Sequence, residues 1–117
     1  MAKKQGSLQV YTLLVQVGRG PEDGLPAKAA GAALLCYAAG HDEAEAVRET
    51  VAVLKTAGLK PLDVTGYGTR AEREAEGHEI GDGDLALMER ALAENAVIVA
   101  ETTVLREGES IGDASDE

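Results

Sequence analysis

The stretch from residue 42 to residue 65, DEAEAVRETVAVLKTAGLKPLDVT, contains the clearest local pattern in this 117-residue chain. Asp42 and Glu45 have the spacing of a helix capping box, and early acidic residues suit the positive end of a helix dipole. Gly58 is a typical residue after a helix end. The pattern therefore predicts a helix over residues 43–57. Its apolar stripe is formed by residues at helical spacing, Ala44, Val47, Val51 and Leu54.

Strand patterns flank this helix. The apolar alternation of residues 8–17 predicts a first strand, and the small-residue run 32–38 predicts a buried second strand. The glycines and prolines of residues 18–26 predict a loop between them. Residues 59–65 predict a third strand, with Pro61 at its start or on a sheet edge because proline lacks an N–H donor.

The second half of the chain is less regular. Residues 69–76 predict a short exposed helix, whereas an alternative has residues 78–80 as a short strand pairing back on residues 62–66. A helix then runs to about residue 95, capped by Asp82 or Asp84. Its buried stripe would be Leu85, Met88 and Leu92. The β-branched run 96–100, continued by residues 102–105, is typical of a central strand.

The fold class is α+β in either case. If the strand near Ile80 forms, the order from residue 32 is β-α-β-β-α-β, a ferredoxin-like two-layer sandwich with an extra N-terminal strand. Without it, the alternative is a four-stranded mixed sheet with two helices on one face. We expect a single domain over residues 8–106, a flexible N-terminus at residues 1–7 and a disordered acidic tail at residues 107–117.

Composition excludes several classes of function. The chain has 11 Lys and Arg against 21 Asp and Glu, a formal charge of −10, which repels a nucleic-acid backbone. It has no Trp or Phe, so stacking platforms for single strands are scarce. No segment reaches the roughly 18 apolar residues of a membrane span. With Cys36 as the one cysteine, we expect a cytoplasmic protein without nucleic-acid or membrane partners.

The segment Gly66-Tyr67-Gly68-Thr69-Arg70-Ala71 superficially matches a Gly-x-Gly-x-x-Ala dinucleotide loop. It follows the third predicted strand rather than opening the fold, and too little chain remains for a doubly wound sheet. A glycine turn at a strand end explains the segment better. A small anion held with the help of Arg70 and Arg73 is the alternative.

Tyr67 is the residue least explained by packing, because a large ring between two glycines in a loop suggests contact with a ligand or partner. His78 is the better of the two histidines for acid–base work, since it lies beside Glu79. We therefore predict Tyr67, Arg70 and His78 as ligand-binding residues and His78 as the catalytic candidate. His41 is expected to be a turn residue at a helix start.

No metal or cofactor is expected. Glu79, Asp82, Asp84 and Glu89 invite a calcium site, but counting from Asp82 places Ala86 and Leu87 where an EF-hand needs an oxygen ligand and glycine. These aspartates are better explained as helix caps. One cysteine and two histidines are a weak zinc set, and Cys36 is expected to be a small core residue.

Three hypotheses for function follow. The first is a small binding or regulatory module that acts through protein contacts, as a homodimer or with another protein partner, and without an assignable reaction. The second is a small-ligand binder or enzyme with a pocket at the loops 18–26 and 66–80, which convergence of Tyr67 and His78 would favour. The third is an acidic inhibitor of a basic protein, which requires carboxylates on one face.

Overall fold

A computed structural model describes residues 8–20 and 24–106 and shows an α+β fold. Its strands form one antiparallel sheet in the order β3-β1-β2-β4. The expected flexible ends, residues 1–7 and 107–117, lie outside the described residues. In chain order the elements are β1 (Gln9–Gly18), β2 (Ala29–Gly40), α1 (Glu43–Thr56), β3 (Lys60–Thr69), α2 (Arg70–Ala75), α3 (Asp82–Glu94) and β4 (Val97–Arg106).

The β1–β2 hairpin forms the centre of the sheet. The two strands pair without a shift from Gln9 opposite Gly40 to Val17 opposite Ala32. β3 pairs with the free side of β1, and β4 pairs with the free side of β2. β2 and β3 therefore run in the same direction, with β1 between them, and α1 connects them across that strand.

The two long helices cover opposite faces of this sheet. On one face, α1 contributes Ala46 and Leu54 to a core that contains Leu13, Leu34 and Cys36. On the other face, α3 contributes its buried residues to a second core. That core consists of Val10, Tyr37, Met88 and Ala91. The molecule therefore has three layers, helix, sheet and helix, rather than two.

The ferredoxin-like order is not confirmed. It required a strand near Ile80, but residues 78–80 form no strand and α2 leads into α3 through an irregular connection. The four strands of the alternative are present. The sheet is nevertheless antiparallel rather than mixed, and its helices lie on both faces, because residues of both parities in the central strands are apolar and each face needs cover.

The predicted helix α1 is confirmed, with a different buried stripe. The Asp42 carboxylate accepts from the backbone N–H of Glu45 at 2.8 Å, as the capping pattern predicts. The Glu45 carboxylate accepts from the N–H of His41 rather than that of Asp42. Ala44 is exposed, and Thr50 is buried with its hydroxyl donating to the Ala46 carbonyl at 2.8 Å.

The last two elements differ from expectation in detail. Gly81, not Asp82 or Asp84, is the N-cap of α3, and no side chain caps this helix. β4 is an edge strand instead of the predicted central one. The apolar run predicted a strand buried on both faces, but only one face of β4 is covered. Ile98 packs on the α3 side, whereas Val99 on the opposite face is 42% exposed. None of the helices in the described residues is long and apolar enough to cross a membrane.

Leu54 tests the α1-side core. Its side chain is 2% exposed, so Leu54→Ala should lower the free energy of unfolding by about 2–4 kcal/mol through lost burial and a residual cavity. Leu62→Ala is the matched control, because Leu62 is 59% exposed and should change stability by less than about 0.5 kcal/mol. Urea unfolding followed by circular dichroism measures both, and equal losses would contradict the assignment of this core.

Candidate ligand-binding pocket

A cavity of about 290 Å³ opens on the face of the sheet that α2 and α3 cover. Its sheet side is formed by three strands, which contribute Thr12, Leu35, Tyr37 and Tyr67. Its helix side is formed by α2, the connection after it and the first turn of α3. These segments contribute Arg73, Glu76, His78, Glu79, Ile80 and Asp84.

Strand register brings the sheet residues together. Thr12 and Tyr37 are direct partners in the β1–β2 pairing, so their side chains share one face. Thr69 ends β3 and caps α2: its hydroxyl accepts from the Glu72 N–H, while the Glu72 carboxylate accepts from the Thr69 N–H. This reciprocal capping box starts α2 at the sheet edge and places the helix beside the cavity.

Arg73 reaches the sheet side of the pocket. Its Nη1 donates to the hydroxyl of Thr12 at 3.4 Å, and Thr12 is only 1% exposed. This contact joins residues 61 positions apart in sequence. It holds a guanidinium group against the inner wall, where the sequence alone had suggested only a helper in anion binding.

Tyr37 and Asp84 form the second polar contact of the inner wall. Tyr37 is 2% exposed, and its hydroxyl donates to the carboxylate of Asp84. Burial, then this hydrogen bond and the charge of Asp84, raise the pKa of Tyr37 to about 12, although Arg73 opposes the shift. Tyr37 is therefore a neutral donor throughout the physiological pH range.

Tyr67 and His78 converge on the outer part of the same cavity, as the ligand-binding hypothesis required. Both side chains are about half exposed. The Nε2 atom of His78 lies 3.7 Å from a carboxylate oxygen of Glu76. The half-exposed rings of Tyr67 and His78 lie outside the buried contacts of Arg73 and Tyr37, so these two rings form the rim of the pocket.

Arg70 is not part of this pocket. Its guanidinium lies 3.3 Å from Glu74 and 3.7 Å from Glu89, so it ties α2 to α3. It lines a separate depression of about 200 Å³ beside Met88 and Leu92. The structure therefore separates Arg70 from the other two predicted ligand-binding residues.

The glycine motif does not form a phosphate loop. Gly66, Tyr67 and Gly68 all lie within β3, and so Tyr67 is a strand residue rather than the loop residue expected from the sequence. A Cβ atom at Gly66 would meet only the flexible carboxylate end of Glu43, which can move aside, whereas Gly68 has a φ of +96°. The positive φ and the local register shift between β1 and β3 explain Gly68, and packing does not require a glycine at position 66.

Cys36 and His41 take no part in the pocket. Cys36 is buried in the core on the α1 side, as predicted, and burial raises the pKa of its thiol to about 11. His41 Nδ1 lies 2.9 Å from Glu45 at the start of α1. The backbone N–H of His41, followed by its ring, lowers the pKa of Glu45. Within residues 8–20 and 24–106, no three His, Cys, Asp or Glu side chains form a metal-binding group.

The geometry defines an α+β fold with a polar cavity between its sheet and the α2–α3 side. Residues 10–106 match the model of a family described as a Domain of unknown function (DUF8846), so the chain belongs to that family. No curated protein and no solved structure matches the chain.

The buried phenol and thiol predict a loss of stability in alkali. Both pKa values are raised above their ordinary values of 10.0 and 9.0, so the folded chain holds protons that the unfolded chain releases. The stabilisation is complete below pH 9 and is lost as the pH rises to 12. We expect the free energy of unfolding to fall by at least about 1 kcal/mol across this range.

Tyr37→Phe isolates the contribution of the phenol. This variant should show a shallower decline in stability between pH 10 and 12, while Tyr11 and Cys36 still titrate in the folded chain. Tyr67→Phe is the control, because Tyr67 is half exposed. Urea unfolding at a series of pH values measures the slopes. An unchanged slope in Tyr37→Phe would contradict the buried Tyr37–Asp84 pair.

Proposed function

We propose that this domain is a small-ligand-binding module whose site is the cavity between β1–β3 and the α2–α3 connection. The convergence of Tyr67 and His78 on one cavity carries this proposal. A closed apolar core would not leave such an opening, and a plain polar surface would not hold Arg73 and Tyr37 against its base. A concave site with a few converging polar groups is the usual form of a small-molecule site.

The chemistry of the walls favours binding over catalysis. Tyr37 is a neutral phenol with its proton committed to Asp84, and Cys36 is buried on the other face of the sheet. His78 lies at the half-exposed rim, 3.7 Å from the Glu76 carboxylate, and the described residues that line the cavity include no serine or cysteine for it to activate. We therefore propose binding of a small polar molecule in the cytoplasm and assign no reaction.

Nuclear magnetic resonance screening with small polar fragments tests the proposal. We expect fragments that bind to shift the amide resonances of Tyr67, His78 and Glu79, because these residues line the cavity. The library should contain neutral, anionic, cationic and zwitterionic compounds in equal numbers. Resonances of α1, on the opposite side of the sheet, serve as the internal reference.

Tyr67→Ala should weaken such fragments by about tenfold, since a ring packed on a ligand contributes on the order of 1–2 kcal/mol. Arg70→Ala is the matched control, because Arg70 lies in the separate depression. Fragment binding that maps elsewhere, or that responds equally to both substitutions, would contradict the site. The absence of any binding fragment would also count against the proposal.

A second candidate function is self-association through β4. No described strand pairs with its outer edge, and Val99 and Val104 are 42% and 39% exposed on its α1-facing side. The opposite edge, β3, contains Pro61 and two glycines, which discourage pairing. A second copy paired edge to edge with β4 would place its own side chains beside those valines, so a homodimer is consistent with this strand.

Light scattering after size-exclusion chromatography tests this homodimer. We expect a two-chain mass at micromolar concentration, strengthened by salt because each copy has a formal charge of −10. Val99→Lys should give a single-chain mass, since an edge lysine opposes pairing. Leu62→Lys on β3 is the control and should remain a dimer. A single-chain wild type at every salt concentration would exclude the proposal.

The acidic-inhibitor hypothesis receives less support. It requires carboxylates gathered on one side, whereas the described acidic residues lie on helices of both outer layers. Glu43 and Glu49 belong to α1, and Glu74 and Glu89 belong to α2 and α3 on the opposite side. Several of these carboxylates also pair with arginines of the same chain.

A further inference from the structure

Arg73 is placed differently from Arg70 and Arg90, the other arginines of α2 and α3. Arg70 and Arg90 each have a glutamate four positions later, and both form that ion pair at 3.3 Å. The corresponding position after Arg73 is Gly77. Its guanidinium turns inward to Thr12 instead, and no carboxylate of the described residues forms an ion pair with it. A guanidinium with free donors in a cavity wall is suited to a carboxylate, which it can bind through two parallel hydrogen bonds.

The remaining charges of the cavity have the opposite sign. Glu76, Glu79 and Asp84 line it, and Asp84 already accepts from Tyr37. The exposed carboxylates of Glu76 and Glu79 belong to the connection after α2, so they lie on the helix side of the opening. A purely anionic ligand would meet these carboxylates, and a purely cationic ligand would meet Arg73. A molecule with one charge of each sign satisfies both sets.

The size and the apolar surface of the cavity limit the class of ligand further. A volume of about 290 Å³ is at the lower limit of sites for drug-sized ligands, so the occupant is a smaller molecule. Leu35, Ile80 and the ring of Tyr67 supply apolar surface next to the charged groups. We propose that the pocket binds a free α-amino acid, with its carboxylate on Arg73 and its ammonium group towards Glu76 and Glu79. This inference rests on the proposed ligand-binding function and specifies the ligand class.

Isothermal titration calorimetry with each of the twenty free amino acids tests the proposal. We expect saturable binding of at least one. The amide of that amino acid, which lacks the negative charge, and its N-acetyl form, which lacks the positive charge, should each bind at least tenfold more weakly. Equal or tighter binding of either derivative would overturn the zwitterion inference, and so would the failure of every amino acid.

Two variants assign the charged contacts. Arg73→Gln should weaken the amino acid at least tenfold and abolish its advantage over the amide. Glu79→Gln should reduce its advantage over the N-acetyl form. Arg70→Gln is the control and should change the affinity less than twofold, because Arg70 is paired outside the pocket. Retention of the full advantage over the amide in Arg73→Gln would overturn the assignment of the carboxylate.

Further measurements distinguish misfolding of a variant from loss of binding, and failure of the amino-acid proposal from failure of the proposed ligand-binding function. If Arg73→Gln fails to fold, Arg73→Lys replaces it. This variant keeps the charge and loses the planar donor pair, so it should bind the amino acid with intermediate affinity. If fragments bind at Tyr67 and His78 but no amino acid does, the zwitterion inference alone fails. If nothing binds in this cavity, the proposed function fails with it.

Discussion

The uninterrupted antiparallel pairing of β1 with β2 is the constraint on which the rest of the structure depends. The two strands remain in register from Gln9 opposite Gly40 to Val17 opposite Ala32. Both strands carry apolar side chains on their two faces, and each face must be removed from water. The helices therefore divide between the faces. The connection through α1 crosses β1, and the connection through α2 and α3 crosses both central strands. Edge strands β3 and β4 then flank the hairpin.

The long elements could be predicted from the sequence, but their arrangement could not. Hydrophobic periodicity is a local signal, so it located α1, α3 and four strands within a few residues. Strand order depends on which segments meet across the sheet, and no local pattern encodes that. One signal in the sequence pointed to three layers: Leu13 and Val15 lie on one face of β1 and Val10 lies on the other, and the structure buries both faces. Two buried faces leave no side for a two-layer sandwich.

The candidate site was partly predictable for a similar reason. Tyr67 and His78 stood out because neither fitted an apolar pattern, and the structure places both at one cavity. Thr12 and Tyr37 looked like ordinary strand residues, since their contribution arises only from the pairing of β1 with β2. Arg73 did leave a trace in the sequence, because a glycine stands where its helical ion-pair partner would be. The acceptor of its hydrogen bond, Thr12, could not be predicted, because no local pattern links residues so far apart in sequence.

The two sides of the sheet also differ in how their helices are attached. On the α1 side, a single methyl group at Gly40 would lie 2.9 Å from the Ala46 nitrogen, so the start of α1 packs closely on the end of β2. On the α3 side, the contact is made through the side chains of Met88 and Tyr37, and methionine adapts its shape readily. We therefore expect α2, α3 and their connection to adapt their positions more readily than the start of α1, which is held against the end of β2.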